Sequence, residues 1–444
     1  MKSETASAGA LSAEQAKTSR PTALRAWYTV ALLTLLFILS FIDRSILALM
    51  AEPVGKSLGL ADRQLALLLG FGFALVYSIG GLPLAQLVDT RDRRAVVGVG
   101  VGIWSLATVL SAFATGFWSL LVLRCGVALG EAVLTPAAVS LIADLFAKER
   151  RSFPMSVYLS VGSFMSIGSY TVGALTYDFA ASLRDATGLE AWQLTFVLVG
   201  MPGVVLALVF GFTAANPPRG ESLTIGQDDA TWGGFLAYIR KRALFFVPLL
   251  TAAGLYCFYG LAVVTWLPTL LVREEGLNIS NAGYLLGCIG VPTALAGNFI
   301  WPQVAMAIDR KRPKRGAVIV LMFAALLAGP AFAVGISMGG TVMYVCLGLG
   351  IFFGSAFAVI PPIAYQQFGP IRMRARLTAV NLLVIAILGY GLGPLIAVEL
   401  GALIAGHEHG LSAGLIWMSA LTTPVLAALA FLATRQSALA DDQD

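Results

Sequence analysis

Four charged side chains stand out for where they fall. Asp43 and Arg44 close the run Phe41-Ile-Asp43-Arg44, and Arg124 and Glu131 lie seven residues apart in Leu123-Arg-Cys-Gly-Val-Ala-Leu-Gly-Glu131. Each sits inside an apolar stretch long enough to cross a bilayer. A charge at the centre of such a helix costs about 2.5–3.5 kcal/mol on insertion scales, so it persists where it is paired, faces a cavity or does work. Two acids and two bases sum to zero when all are ionised. Protonating either acid leaves one positive charge in surplus and releases an arginine, whose planar fork suits phosphate or carboxylate. The chemistry on offer is proton binding by Asp43 or Glu131 linked to anion binding by Arg44 and Arg124.

Helical spacing agrees with this grouping. Seven residues make two turns with a drift of about 20°, so Arg124 and Glu131 share one helix face. Measured along the helices at 1.5 Å per residue, Asp43 and Arg44 lie roughly 12 Å below one end of their span. Arg124 lies roughly 10 Å below the same end of its own. Asp43 and Arg124 therefore match in depth.

The elements that position these charges follow from composition. The chain has 444 residues, 58% hydrophobic and only 12% charged, against about 25% charged in a soluble domain. Twelve apolar runs are legible, at 26–51, 64–88, 95–114, 117–146, 153–178, 191–212, 243–271, 281–308, 316–337, 340–367, 375–405 and 411–434. The alternating pattern of a membrane β-barrel is absent. The fold class is all-α integral membrane, with twelve transmembrane helices in two six-helix pseudo-symmetric halves. Most of the 29 Lys and Arg fall in the tails and even-numbered loops, which places both termini in the cytoplasm. That is the inner or plasma membrane if the cell is bacterial. The organisation reads as an N-terminal tail (1–25), a first half (26–212), a central loop (213–242), a second half (243–434) and a C-terminal tail (435–444). The first run carries charges and no cleavage site, so it reads as a retained helix. Trp232 to Arg242 reads as a short amphipathic helix at headgroup level.

Other chemistries find little support. The net charge of +5 is spread over short loops, which argues against nucleic acid. Cys125, Cys257, Cys288 and Cys346 have no paired spacing. Gly348-Leu349-Gly350 lacks a preceding strand and a third glycine in place. His407-Glu-His409 is a poor metal site, and neither a cofactor nor a metal is expected. Gly98, Gly100, Gly102, Gly389, Gly391, Gly393 and Pro394 mark close helix contacts or bends. Glu399, near the end of the eleventh run, reads as a snorkelling or packing residue.

The halves echo each other. Asp89-Thr-Arg91-Asp-Arg93-Arg94 follows the second run and Asp309-Arg310-Lys311-Arg312 the eighth, an offset of about 220 residues. Phe146 then Arg150-Arg151, and Phe368 then Arg372 and Arg374, repeat at nearly the same offset, which indicates duplication. Twelve helices in two such halves resemble the major facilitator superfamily, over about 24–434. The loop signature departs from the usual pattern at Ala85, Ala305, Thr90 and Asp92. A narrower likeness lies in Phe41 to Arg44, in Arg124 through Gly130-Glu131-Ala132, in Ile142-Ala-Asp144-Leu-Phe146 and in Glu149-Arg150-Arg151-Ser152. Together these resemble the spinster group, implicated in moving lysophospholipids and sphingolipid phosphates.

The resemblance implies that the first and fourth helices face a central cavity. It also implies that Asp89, Arg93, Arg94, Asp309 and Arg310 gate the cytoplasmic side. At the repeat offset, Cys346 and Phe353 replace Arg124 and Glu131, and the second half offers aromatics instead: Tyr256, Phe258, Tyr259 and Trp266 on the seventh helix, Phe352, Phe353, Phe357 and Tyr365 on the tenth. One charged wall and one aromatic wall suit an amphipathic anion, with Arg44 and Arg124 on its head and Tyr256, Tyr259, Phe353 and Phe357 on its tail. The reading is a proton-linked secondary transporter working by alternating access, monomeric and in contact with membrane lipid. The alternative is a facilitator of small organic anions such as carboxylates or sugar phosphates. A membrane enzyme or a non-transporting receptor lacks a supporting motif.

Overall fold

The computed structural model describes residues 21–219, 232–313, 315–368, 373–406 and 410–440, and no strand occurs among them. Twelve long helices carry the chain: α1 (Ala23–Leu49), α2 (Asp62–Ala66 continuing as Gly72–Thr90), α3 (Arg93–Ser111), α4 (Phe117–Glu131 and Leu134–Leu145), α5 (Ser152–Ser182) and α6 (Ala191–Thr213), then α7 (Ala243–Arg273), α8 (Ile279–Lys311), α9 (Gly316–Met338), α10 (Gly340–Gly354 and Ala356–Phe368), α11 (Arg374–Val384 and Gly393–Ala405) and α12 (Gly410–Ala440). By length and hydropathy, eleven of these qualify as membrane spans. The exception is α5, whose Ser, Thr, Tyr and Gly content lowers its hydropathy over 31 residues.

Local chemistry sets the ends. Asp92 accepts from the Ala95 amide at 3.0 Å to cap α3, and Asn278 accepts from the Asn281 amide at 2.7 Å to cap α8. Two helices are interrupted, one of them ahead of a proline. Pro136 supplies no N–H and its ring excludes the carbonyl of Ala132, so α4 divides at Ala132–Val133. Glu131 is thereby the last residue before the break. The same interruption recurs in α10 at Ser355, at the repeat offset of about 220 residues. Leu67–Phe71 in α2 and Ile385–Leu392 in α11 are π-helical turns.

Buried apolar side chains form three clusters. One lies wholly within α1–α6 and runs from Ala26 to Ala215, while another runs from Phe235 to Ala433 through the central helix and α7–α12. The third draws on both halves, joining Ile46, Leu49 and Phe196 to Tyr259, Trp266 and Leu286. Twelve crossings return the chain to the face it started from, and the two separate clusters lie toward that face. The shared cluster lies toward the opposite, far face. The short helix Trp232–Lys241 does form, with Phe235 buried in the second-half core and Tyr238 donating to the Phe368 carbonyl at 3.0 Å.

Two glycines bring α3 and α4 together backbone to backbone. A Cβ added at Gly130 would lie 2.5 Å from the Gly100 carbonyl oxygen, and one at Gly100 would lie 2.3 Å from Val133 Cγ2. Gly98 also lies close to α6, whereas Gly102 meets only Ala207 Cβ at 4.0 Å. Gly100→Ala and Gly130→Ala should each cost about 1–3 kcal/mol through overpacking. Melting temperatures in detergent should fall by several degrees in both variants and stay unchanged in Gly102→Ala; equal melting of all three would refute the close crossing.

Candidate functional site

Adjacent residues on a helix point about 100° apart, and α1 uses this to aim its two charges at different partners. Asp43 turns toward α3 and α4. The Thr108 hydroxyl donates to its Oδ1, and Arg124 Nη1 stands 3.6 Å from its Oδ2 and 3.4 Å from its backbone carbonyl. Arg44 turns to the break in α4, where its Nε donates to Glu131 Oε2 at 2.6 Å. Two ion pairs therefore bridge α1 to α4. Their burial differs: the Arg124 side chain is 3% exposed, and that of Arg44 is 29% exposed.

An aromatic rack from α1 and α2 holds both guanidinium groups. Arg44 Cζ lies 5.2 Å from the Tyr77 ring centre, 5.3 Å from Phe73 and 5.9 Å from Phe41, while Arg124 Cζ lies 5.6 Å from the same Phe73. Such contacts add about 0.5–2 kcal/mol each where water is excluded. Each acid keeps one oxygen, Asp43 Oδ2 and Glu131 Oε1, without a hydrogen-bond partner. The cluster sums to zero charge when all four members are ionised, and it is not saturated with hydrogen bonds.

The four charges expected from the sequence do converge, with Asp43 against Arg124 and Arg44 against Glu131. Thr108, Phe73 and Tyr77 join them unanticipated. Thr108 had a signal of its own, a hydroxyl on an apolar helix at the depth of Asp43. An aromatic in α2 carries no such mark.

The aromatic set divides. Tyr259 is fully buried against Phe332 at 6.4 Å between ring centres, and Phe357 is buried and stacked on Tyr256 at 4.2 Å. Both are core residues in this conformation, because α7, α9 and α10 close over them. Tyr256 and Phe353 are half-buried, with Phe353 beside Trp301 at 5.7 Å.

The expected gating residues take mostly local partners. Arg93 is buried within the first half, donating to Asp144 at 2.5 Å, to the Ser140 hydroxyl at 3.0 Å and to the Pro217 carbonyl at 2.6 Å. Asp309 accepts from the Gly316 amide at 2.6 Å, capping α9, and from Gln367 at 2.9 Å. Asp89 and Arg310 are exposed and Arg94 is half-exposed. His407 to His409 lie outside the described residues.

Among the described residues, the ion pairs between the halves lie on the far face. Arg273, the last residue of α7, donates from Nε to Glu52 at 2.5 Å and grips Asp62 with both Nη atoms at 2.7 and 2.8 Å. Arg63 pairs with Glu399 at 2.8 Å, so Glu399 is an inter-half ion-pair partner rather than a snorkelling residue. Its partner sits on another helix, beyond the reach of local pattern. Asp178 of α5 accepts from Ser280 and, at 2.6 Å, from Tyr284 of α8.

A family model described as Major Facilitator Superfamily matches residues 33–394. The chain belongs to the major facilitator superfamily. It is a multi-pass membrane transporter, not an enzyme. This facilitator is 28% identical to an MFS-type efflux pump of Mycolicibacterium smegmatis, over 84% of this chain and 83% of that one. It is 27% identical to protein spinster homolog 3 of Danio rerio, over 82% and 74%. A probable L-galactonate transporter of Escherichia coli is 25% identical over 61% and 62%. The crystal structure of a bacterial homolog of the human lysosomal transporter spinster, inward-facing and unoccupied, shares the fold with a TM-score of 0.80, 24% identity and coverage of 94% and 98%.

Arg273 is the one far-face residue among those described that holds two acids of the other half. In Arg273→Gln, hydrogen–deuterium exchange should accelerate several-fold in 51–62 and 273–280 while 100–130 stays protected. Arg184→Gln, which removes only a pair with Glu190 inside the first half, is the control. Exchange equal in both variants would remove the triad from the far-face closure.

Proposed function

We propose that this facilitator cotransports protons with an amphipathic anion of lysophospholipid or sphingolipid-phosphate type. The observation that carries the reading is the unequal pair of arginines: Arg124 is sealed against Asp43, whereas Arg44 is held by a single bond to Glu131 and remains accessible. An anion arriving at Arg44 supplies the counter-charge that Glu131 supplied. Glu131, buried and with one oxygen already unbonded, is then the group that takes a proton. Charge balance inside a low-dielectric span asks for one proton per negative charge, and the cluster holds two acids, enough for a phosphate monoester.

Asp43 would carry the second proton. Thr108 lies within hydrogen-bond reach of both Asp43 and, at 3.0 Å, the Trp104 carbonyl. Its hydroxyl can donate to an ionised Asp43, or accept from a protonated Asp43 while donating to Trp104. The cycle moves the halves, 26–212 against 243–434, with both termini on the cytoplasmic side by the charge distribution of the loops. With the far face joined by ion pairs and both termini read as cytoplasmic, this conformation is read as the inward-facing member of the cycle. The protein acts as a monomer.

A second reading, transport of a small organic anion, is favoured by two observations. One relative is named for L-galactonate. Tyr259 and Phe357, expected to hold a tail, are packed in the core. Proteoliposome uptake of a lysophospholipid against a panel including galactonate separates the two, since the tail matters to one substrate class alone.

Coupling has its own test. Glu131→Gln mimics the protonated acid, so it should bind substrate with near-normal affinity and lose acceleration by an inward proton gradient; Asp43→Asn should do the same for the second proton. Full gradient-driven uptake in both variants would rule out either acid as the carrier. Arg124→Lys keeps the charge beside Asp43 and should leave folding intact, whereas Arg124→Ala strands a buried acid at a cost of about 3–5 kcal/mol.

A further inference from the structure

Arg44 has more donors than its known partner uses. Nε serves Glu131, and its two Nη groups, with four N–H donors, have no acceptor among the described residues. Aromatic rings flank the guanidinium, so an anion must arrive at its Nη edge. Two phenols of this neighbourhood have no hydrogen-bond partner among the described residues. Tyr77 of α2 is half-buried with its ring centre 5.2 Å from Arg44 Cζ, and Tyr390 of α11 is 41% exposed on the stretch of α11 that packs against α2.

The backbone supports the meeting of these two tyrosines. Each belongs to a helix interrupted by a π-turn, Leu67–Phe71 before Tyr77 and Ile385–Leu392 around Tyr390. The π-turns are packed against each other: a Cβ at Gly70 would lie 2.2 Å from the Tyr390 carbonyl oxygen, and one at Gly391 would lie 3.9 Å from Phe71 Cδ2. One extra residue per π-turn rotates the rest of the helix by about 100°, and such turns are frequent at functional sites.

We propose that the Nη edge of Arg44 and the hydroxyls of Tyr77 and Tyr390 form a clasp for an oxyanion headgroup, closing across the two halves. The clasp rests on the anion reading above and refines it by naming the second half's contribution to the head as a phenol. Its ligand class is an oxyanion with three or more acceptor oxygens, a phosphate monoester or a polyhydroxy carboxylate. Arg44 takes two oxygens in its plane and each phenol donates to a remaining one. A ligand so held touches both α2 and α11, and thus changes its contacts when the halves move, as any ligand must if it is to bias their equilibrium.

Equilibrium binding to the full-length protein in nanodiscs, with radiolabelled lysophosphatidic acid and radiolabelled galactonate as probes, tests the clasp. Tyr77→Phe and Tyr390→Phe each remove one hydroxyl and keep the ring, so folding should hold, as elution profile and melting temperature will report. Each variant should weaken the probe that wild type binds by roughly tenfold, the worth of a hydrogen bond to a charged group. Tyr344→Phe, at a phenol of α10 packed against the far-face cluster, should leave affinity unchanged. Which probe binds tells a lipid phosphate from a sugar acid. Wild-type protein that binds neither probe overturns the anion reading and the clasp with it. Wild-type affinity in both Tyr→Phe variants overturns the clasp and leaves the anion reading standing, and a loss confined to one variant overturns its closure across the halves.

Discussion

A low-dielectric interior tolerates charge only in balanced sets, and the quartet of Asp43, Arg44, Arg124 and Glu131 is the constraint around which the first half is arranged. Removing one member leaves an uncompensated buried charge, at a cost comparable to much of a protein's net stability. The glycine crossing of α3 and α4, the break that Pro136 imposes beside Glu131 and the Phe73 ring shared by both arginines all fix the distances within this set. None of these features binds anything. Their work is to hold the two ion pairs a few ångströms apart and keep one of them reachable.

How much of this was legible in the chain depends on whether a signal was local. Charges inside apolar runs announce themselves, and helix arithmetic alone matches Asp43 to Arg124. Repeat spacing anticipated two related halves, and the α4 and α10 interruptions recur at that spacing. Pairing across helices was harder. Glu399 has no basic residue one or two turns away, so nothing pointed to Arg63. Aromatics were hardest: Phe73 and Tyr77 look like any apolar side chains of a span, while Tyr259 and Phe357 look like ligand contacts and are interior packing. Twelve spans are legible and twelve long helices occur among the described residues, with α5 marginal in hydropathy because so many of its side chains are small or hydroxylated.

The apolar core has a division of labour that single helices do not reveal. Two clusters belong to one half each, so each half keeps its own packing as a body. The third is built from both, and it disperses if the far face opens. Opening there exposes apolar surface and breaks ion pairs together, whereas movement at the terminus-bearing face leaves both private clusters whole. The Trp232–Lys241 helix follows the second half, its Phe235 sunk into that core, so the connection between halves is anchored at one end.

The far-face ion pairs are unlike the Asp43–Arg124 pair in one respect. Arg273 is about one-third exposed, and Arg63 and Glu399 are more open still. Mobile ions reach such pairs, and at physiological salt their attraction fades over a Debye length of about 8 Å. The Asp43–Arg124 pair, with both side chains 3% exposed, is sheltered from that screening. One molecule thus carries two electrostatic systems with different sensitivities: a far-face latch that loosens as the ionic strength of its compartment rises, and a sealed ion pair that mobile ions do not reach.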